Sequence, residues 1–324
     1  MDMPPTPESE GDGAIACKTI LASSVANVYT SEIKKGIEDL GRKPTLVGFL
    51  ANTDPAARMY AEWTGKTFSD VGFNFDLREV DKEELEDYIF QANEDDDVDG
   101  IMIYFPVFGN RQDQYLQQVV SKDKDVEGLS HIYIQNLYHN VRYLDNAKTQ
   151  KSILPCTPLA LVKILEYLGV YNMILPYGNR LYGKTITIVN RSEIVGRPLA
   201  ALLANDGAVV YSFDIDTVQK FNRGEGIRLR SHRVSDVEVK LEDVAPMSDV
   251  IITGVPSDAY KFDTRYIKDG AVCVNFSTAK NFNPDVKTKS SLYVPSIGKV
   301  TVAMLMRNLL RLIANKSSKN QKLN

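Results

Sequence analysis

The sequence predicts an α/β protein built on parallel sheets and divided into two domains. Three observations predict it. Short apolar runs of strand length alternate with segments of helical periodicity along most of the chain, the pattern of parallel strands joined by crossover helices. The 324 residues suffice for two domains with their own cores, or for one large α/β domain. The alternation also starts afresh after Cys156-Thr157-Pro158, where a domain boundary is placed.

Taken in order, Thr45–Ala51 (TLVGFLA) reads as the first clear strand. Asp54-Pro55 offers a capping carboxylate and a first-turn proline, so a helix follows and runs to about Gly72. Phe73–Val80 is the next strand, Lys82–Asn93 the next helix, and Val98–Phe105 a third strand ending at Pro106. The acidic run Glu94–Asp99 reads as a solvated loop before that strand, with a metal site as the sharper alternative. At the boundary, Thr157 is the expected N-cap and Pro158 the first helical position. Then come strand Lys184–Asn190, helix Pro198–Asn205, and strands Ala208–Phe213, Asp249–Thr253 and Ala271–Phe276. Residues Gln219–Asp243 are charged with few apolar anchors and read as an insertion or loop. The last helix, Val300–Ile313, is apolar enough to pack on either domain.

Bulk properties exclude several functions. Hydrophobic residues make up 44% and charged residues 25%, and the net charge is −4, so a polyanion such as nucleic acid is not an expected partner. No apolar run has the length to span a bilayer, and no membrane partner is expected. Cys17, Cys156 and Cys273 are far apart and odd in number, which suits a reducing compartment. His131, His139 and His232 show no metal-ligand spacing, so no metal is expected. Residues 1–17 begin with an acidic, Pro- and Gly-rich stretch expected to form a disordered tail. That tail lacks the features of a presequence or signal peptide, and the expected location is the cytoplasm.

The stretch Lys184–Pro198 (KTITIVNRSEIVGRP) carries the first functional signal. A buried strand turns tightly into a helix, and such a turn offers free backbone N–H groups and a positive helix end to a phosphate. The usual glycine fingerprint is reduced to Gly196, with Asn190 and Ser192 where the first two glycines might stand. About 20 residues on, the next strand ends at Asp214 and Asp216; a carboxylate there can bond the adenosine ribose hydroxyls and would repel a 2′-phosphate. That favours NAD over NADP.

The blocks KDVEGL (Lys124–Leu129), LPCTP (Leu154–Pro158), NRSEIVGRP (Asn190–Pro198), TGVP (Thr253–Pro256) and KVTVAML (Lys299–Leu305) occur in one order along the chain. Together they resemble the methylenetetrahydrofolate dehydrogenase/cyclohydrolase family, over nearly everything after residue 18. The resemblance implies two α/β domains with a cleft between them. The N-terminal, folate-binding domain would comprise residues 18–155 plus 303–324, and a Rossmann-like NAD domain residues 156–302. It further implies hydride transfer from 5,10-methylenetetrahydrofolate to a nicotinamide cofactor, and a homodimer.

The family's functional positions carry over unevenly. Its substrate-stacking tyrosine falls on Tyr60 and its pterin-edge aspartate on Glu127, whose carboxylate could accept the two adjacent N–H donors of the pterin edge. Its catalytic lysine falls on Thr64 and its third-strand glutamine on Tyr104. The lysine position is four residues past Tyr60 and shares its helix face, whereas Lys66 is six past it, about 240° around a helix at ~100° per residue. It therefore replaces the lysine only if the helix breaks at Gly65. Loss of lysine and glutamine argues against the cyclohydrolase step. Cys156, at a helix start, is expected either to act beside the folate with a lowered thiol pKa or to support the cap. On the cofactor side, the resemblance places Arg191 and Ser192 along the pyrophosphate and ribose, with Arg191 or Arg197 free to meet a phosphate. Asp214 and Ile215 would lie at the adenosine end, Thr253, Gly254 and Val255 at the nicotinamide ribose, and Val300 and Thr301 at the nicotinamide. A bifunctional enzyme with a substitute base and a non-catalytic NAD-binding homologue remain as alternatives.

Overall fold

The computed structural model describes residues 16–224 and 231–320. The expected tail lies outside the described residues except for its last two. In chain order the elements are β1 (Lys18–Thr19), α1 (Ala22–Leu40), β2 (Thr45–Leu50), α2 (Pro55–Val71), β3 (Asn74–Glu79), α3 (Leu85–Glu94), β4 (Gly100–Ile103), α4 (Arg111–Val119), α5 (His131–Tyr138), α6 (Cys156–Tyr167), β5 (Thr185–Val189), α7 (Gly196–Asn205), β6 (Val209–Phe213), β7 (Val218–Asn222), β8 (Arg233–Asp236), α8 (Leu241–Val244), β9 (Val250–Thr253), β10 (Val272–Asn275), β11 (Leu292–Val294) and α9 (Gly298–Asn320).

They form two sheets. The smaller has the order β3-β2-β4 and is parallel throughout. The larger has the order β1-β11-β10-β9-β5-β6-β7-β8. It is parallel from β1 to β6 and antiparallel across β6-β7-β8. The parallel strands β2, β4, β9 and β10 bury both faces, which is why they read as continuous apolar runs. In β2, Leu46 and Leu50 enter the main core, while Val47 and Phe49 face a second core with Leu85 and Ile89 of α3. In β9 and β10, Val250, Ile252, Val272 and Val274 enter the main core, and Ile251 and Cys273 a third.

The expected elements before the boundary are present. Asp54 caps α2 by accepting from the Ala56 N–H at 2.9 Å, Pro55 opens the helix, and Gly72 ends it in the left-handed region at φ 118°. The Glu94–Asp99 run is a loop whose last residue, Asp99, accepts both arms of the Arg42 guanidinium at 2.6 Å. No metal-ligand cluster occurs among the described residues.

Three expectations change. First, α6 starts at Cys156 behind Pro155, so Thr157 lies inside the first turn and caps nothing. Second, the charged region after residue 218 is not a bare loop: β7 and β8 extend the large sheet by an antiparallel hairpin pair, whose edge position tolerates polar residues on both faces. Third, Lys18–Thr19 pair with β11 at the far edge of the large sheet, although the sequence assigned residue 18 onward to the first unit.

Helix α9 is longer than expected and packs on α1 and α6. Its buried Asn308 donates to Val126 O at 2.8 Å and Leu154 O at 3.0 Å. Its buried Asn315 accepts from the Lys151 N–H and donates to Lys151 O. These amides satisfy backbone that neither sheet reaches, and they fix the segments that carry Glu127 and Cys156.

Candidate active site

Residues from four parts of the chain cluster at one site. Tyr60 and Thr64 stand one turn apart on α2, Tyr104 follows β4, Glu127 lies in the loop before α5, and Cys156 opens α6. The Tyr60 and Tyr104 rings meet edge to face with centroids 6.1 Å apart. The Tyr104 turn is held by Asn52, whose amide donates to the carbonyls of Tyr104 and Pro106. One Glu127 oxygen accepts from the Ile103 N–H at 3.0 Å, and its backbone carbonyl accepts from the Cys156 N–H at 3.2 Å. The structure therefore brings together Tyr60, Tyr104, Glu127 and Cys156.

The pocket disfavours charge. Burial pushes the Glu127 carboxyl up to about 8, against the bond from Ile103, and the neighbouring Asp125 carboxylate adds to the rise. At neutral pH Glu127 in the free protein is mostly protonated. Burial likewise pushes the Cys156 thiol up to about 12, and Glu127 adds to it. This reverses the expected lowering: desolvation outweighs the helix terminus, so Cys156 holds its proton. Burial also raises both phenols, Tyr60 and Tyr104.

Thr64 is fully buried, and its hydroxyl and the Tyr104 hydroxyl have no hydrogen-bond partner. A buried polar atom without a partner is costly, and the Thr64 hydroxyl acts on both phenols, lowering Tyr60 and Tyr104 against the rise from burial. Helix α2 runs unbroken through Gly65, so Lys66 does not reach the Thr64 position; it lines a different cavity with Trp63. Sequence reasoning noted Thr64 only as a missing lysine. It also passed over Asp125, a buried carboxylate that accepts from the N–H groups of Gly128 and Ser130 and shapes the Glu127 loop; the KDVEGL block contained that signal.

The cofactor-side residues gather at the C-terminal ends of β5, β6 and β9, which are neighbours in the sheet. That edge is where ligands bind in open parallel sheets. A Cβ on Gly196 would stand 2.0 Å from Asn190 O, so only glycine lets α7 start this close to β5. This is the role of the third glycine in a dinucleotide turn. Asn190 takes over more than a glycine would: its side chain accepts from the Ser192 N–H at 2.9 Å and donates to Gly254 O at 2.9 Å, tying β5 to the turn after β9. In that turn a Cβ on Gly254 would stand 1.9 Å from the Phe276 ring. Val255 is held by Asn281 through its N–H at 2.8 Å and its carbonyl at 2.9 Å, and the buried Thr253 hydroxyl lies 3.4 Å from Asn275.

The charges here are already engaged. Arg191 donates to Asp214 at 3.4 Å, to Ser212 O and Thr217 O, and to the Thr217 hydroxyl. Arg197 pairs with Glu193 at 2.9 Å. Both guanidinium groups that the sequence offered to a phosphate meet carboxylates of the chain itself in this structure. The Ser192 hydroxyl accepts from the N–H groups of Val195 and Gly196 and so braces the helix entry. Ile215 is 94% exposed at the tip of the β6–β7 turn. On α9, Val300 is fully buried in the main core, so its side chain packs there; Thr301 is buried beside it.

A parallel sheet with a glycine-tight turn into a helix, and an acid at the end of the adjacent strand, defines a Rossmann-type dinucleotide-binding protein. Residues 19–127 match the tetrahydrofolate dehydrogenase/cyclohydrolase catalytic domain, and residues 155–227 that family's NAD(P)-binding domain. A methylenetetrahydrofolate dehydrogenase [NAD(+)] of Schizosaccharomyces pombe is 64% identical over 94% of this chain and 95% of its own. That of Saccharomyces cerevisiae is 63% identical over 92% and 96%. The solved structure of the S. cerevisiae NAD-dependent 5,10-methylenetetrahydrofolate dehydrogenase superposes with a TM-score of 0.90 at 61% identity, covering 94% of this chain and 99% of that one. The chain belongs to the tetrahydrofolate dehydrogenase/cyclohydrolase family.

Proposed function

We propose that this protein oxidises 5,10-methylenetetrahydrofolate to 5,10-methenyltetrahydrofolate with NAD and does not hydrolyse the product. The observation that carries the reading is the pocket itself: Tyr60, Tyr104 and Glu127 face one another, and a buried threonine stands where hydration would need a base. The close relatives' NAD-dependent names support the cofactor.

The turn at Gly196 fits a dinucleotide, since glycine there lets α7 start directly against the end of β5. Ser192 and the helix entry would hold the pyrophosphate, and Asp214 with Ile215 the adenosine end. Thr253, Gly254 and Val255 would flank the nicotinamide ribose, with Thr301 beyond. When bound, NAD accepts a hydride from the methylene carbon of the folate, leaving a C=N bond. The chain's own residues prepare that step. Tyr60 stacks on the substrate. Glu127 meets the pterin edge; its proton passes to water displaced by the substrate, and the carboxylate accepts the two N–H donors. Bound substrate and cofactor together would keep water from the methenyl product. Tyr104 and Thr64 offer hydroxyls but no base, and Cys156 supports the α6 start as a neutral thiol.

The parts from residues 18–155 plus 303–324 and from 156–302 form the folate and NAD sides of this reading. The protein is further proposed to act as a cytoplasmic homodimer; support for this comes from the family resemblance and the reduced cysteines, and sedimentation of the purified chain measures the dimer. The activity test is a rate measurement with NAD and with NADP on methylenetetrahydrofolate, followed by the methenyl absorbance band. Faster turnover with NAD is expected, and faster turnover with NADP overturns the cofactor assignment. Supplied methenyltetrahydrofolate should disappear no faster than in buffer alone; enzyme-dependent loss would show a cyclohydrolase.

A further inference from the structure

The turn between β6 and β7 wraps a single charged side chain. Asp214, Ile215, Asp216 and Thr217 form the turn, closed by the Asp214 N–H donating to Thr217 O at 3.0 Å. The pairing of Phe213 with Val218 fixes its register. Against it lies the Arg191 guanidinium, which comes from the end of β5 and keeps only 11% of its side chain in solvent. Its two terminal nitrogens carry four N–H groups, and four acceptors surround them. One nitrogen donates to Ser212 O at 3.3 Å and to Thr217 O at 3.4 Å. The other donates to Asp214 at 3.4 Å and to the Thr217 hydroxyl. Thr217 therefore supplies one acceptor to each nitrogen.

Asp214 alone does not account for this hold. Its contact lies at the long end of hydrogen-bond range, and the carboxylate is half-exposed, so the pair is weak. A free guanidinium beside Asp214 would also offset its repulsion of a 2′-phosphate. An arginine near this ribose accommodates that phosphate in dinucleotide sites, and it can do so with two parallel hydrogen bonds. An aspartate that rejects NADP thus needs a neighbour that keeps Arg191 from the cofactor.

We propose that Thr217 is a specificity-determining residue that acts through Arg191: it holds the guanidinium in the β6–β7 turn and withholds it from a 2′-phosphate. The inference rests on the NAD reading above. It divides cofactor choice between two residues. Asp214 repels the phosphate and turns its solvent-facing oxygens to the ribose hydroxyls. Thr217 removes the cation that would compensate. Loss of the Asp214 carboxylate leaves the Ser212 and Thr217 contacts in place, so by itself it admits NADP only in part.

The measurement is Kd for NAD and NADP by calorimetry, with KM and kcat for both beside it. The background is Asp214→Ser, which removes the repulsion that would mask the hold. Onto it are placed Thr217→Val, Thr217→Ala, Thr217→Ser, and Thr217→Val with Arg191→Gln. Valine keeps the branched shape of threonine without the hydroxyl, and alanine is the second hydroxyl-free variant should the valine protein be unstable. Either should tighten NADP about tenfold, the worth of one charge-assisted hydrogen bond, with Kd for NAD held within about twofold. Serine keeps the hydroxyl and should leave NADP binding where it was. Arg191→Gln should abolish the gain. Equal NADP binding in the hydroxyl-free and serine variants, a gain that survives Arg191→Gln, or a parallel change for both dinucleotides overturns the role of Thr217 and leaves the dehydrogenase standing. NAD binding without turnover overturns the dehydrogenase reading alone, and the binding data still decide Thr217. Absence of binding by either dinucleotide overturns both.

Discussion

The pocket around Glu127 and the strand ends around Asp214 handle charge in opposite ways. Around Glu127, ionisable groups are buried without counter-ions, so protonated forms prevail: a carboxyl pushed up to about 8, a thiol to about 12, two raised phenols. At the strand ends, Asp214 keeps nearly half of its side chain in solvent and faces the Arg191 guanidinium. A neutral, partly unsatisfied pocket suits a substrate that brings polar N–H groups and must stay dry while a cation forms. A half-solvated ion pair suits the recognition of ribose hydroxyls, where the choice between two cofactors is made by charge. On the proposed reading, low dielectric serves the chemistry and high dielectric the discrimination.

The contrast can be broken at its buried end with the largest effect. Below about pH 4.5 the Glu127 carboxyl is protonated in folded and unfolded chains alike. Between there and pH 8 only the unfolded chain ionises it, so stability present at low pH is lost as the pH rises through the folded value. Glu127→Gln should remove this loss, on the order of 2–4 kcal/mol between pH 5 and 8.5, read as the difference in denaturant midpoints of parent and variant. The same variant should raise KM for the folate by ~30-fold, because an amide cannot accept both pterin donors. A parent and variant with the same pH dependence would show that Glu127 is not held neutral.

At the exposed end the expected effect is smaller. Asp214→Ser should raise KM for NAD by about tenfold, the worth of one charge-assisted hydrogen bond, with little change in KM for folate. It also frees Arg191 from its partner, so turnover with NADP should improve. Unchanged cofactor preference would sever Asp214 from the choice. The smallest effect is expected at Cys156. Its raised thiol pKa predicts slow alkylation by iodoacetamide at neutral pH, and Cys156→Ser should keep kcat within about twofold, as for a residue that only fills space. Fast alkylation with loss of activity would make the thiol a participant.

Much of the layout is visible in one dimension. Strands buried on both faces announce themselves as apolar runs, so TLVGFLA, TITIV and VIIT were readable. Asp54-Pro55 gave the start of α2 because capping is local. Gly196 and Asp214 stood out because a close helix–strand turn and a strand-end acid are residue-type requirements. The edge pair β7–β8 was missed because edge strands carry no apolar pattern, and the true start of α6 because Thr157 looked like a cap that Pro155 pre-empts.

The sequence by itself determined the α/β class, the dinucleotide turn and the absence of a lysine at position 64, since each follows from residue type and spacing. Only the tertiary structure decided which charges are spent. Arg191 is consumed by Asp214 and Thr217, and Cys156 and Glu127 keep their protons. The reason is physical: protonation and pairing depend on burial and on neighbours brought together by folding, and neither is written in the local order of residues.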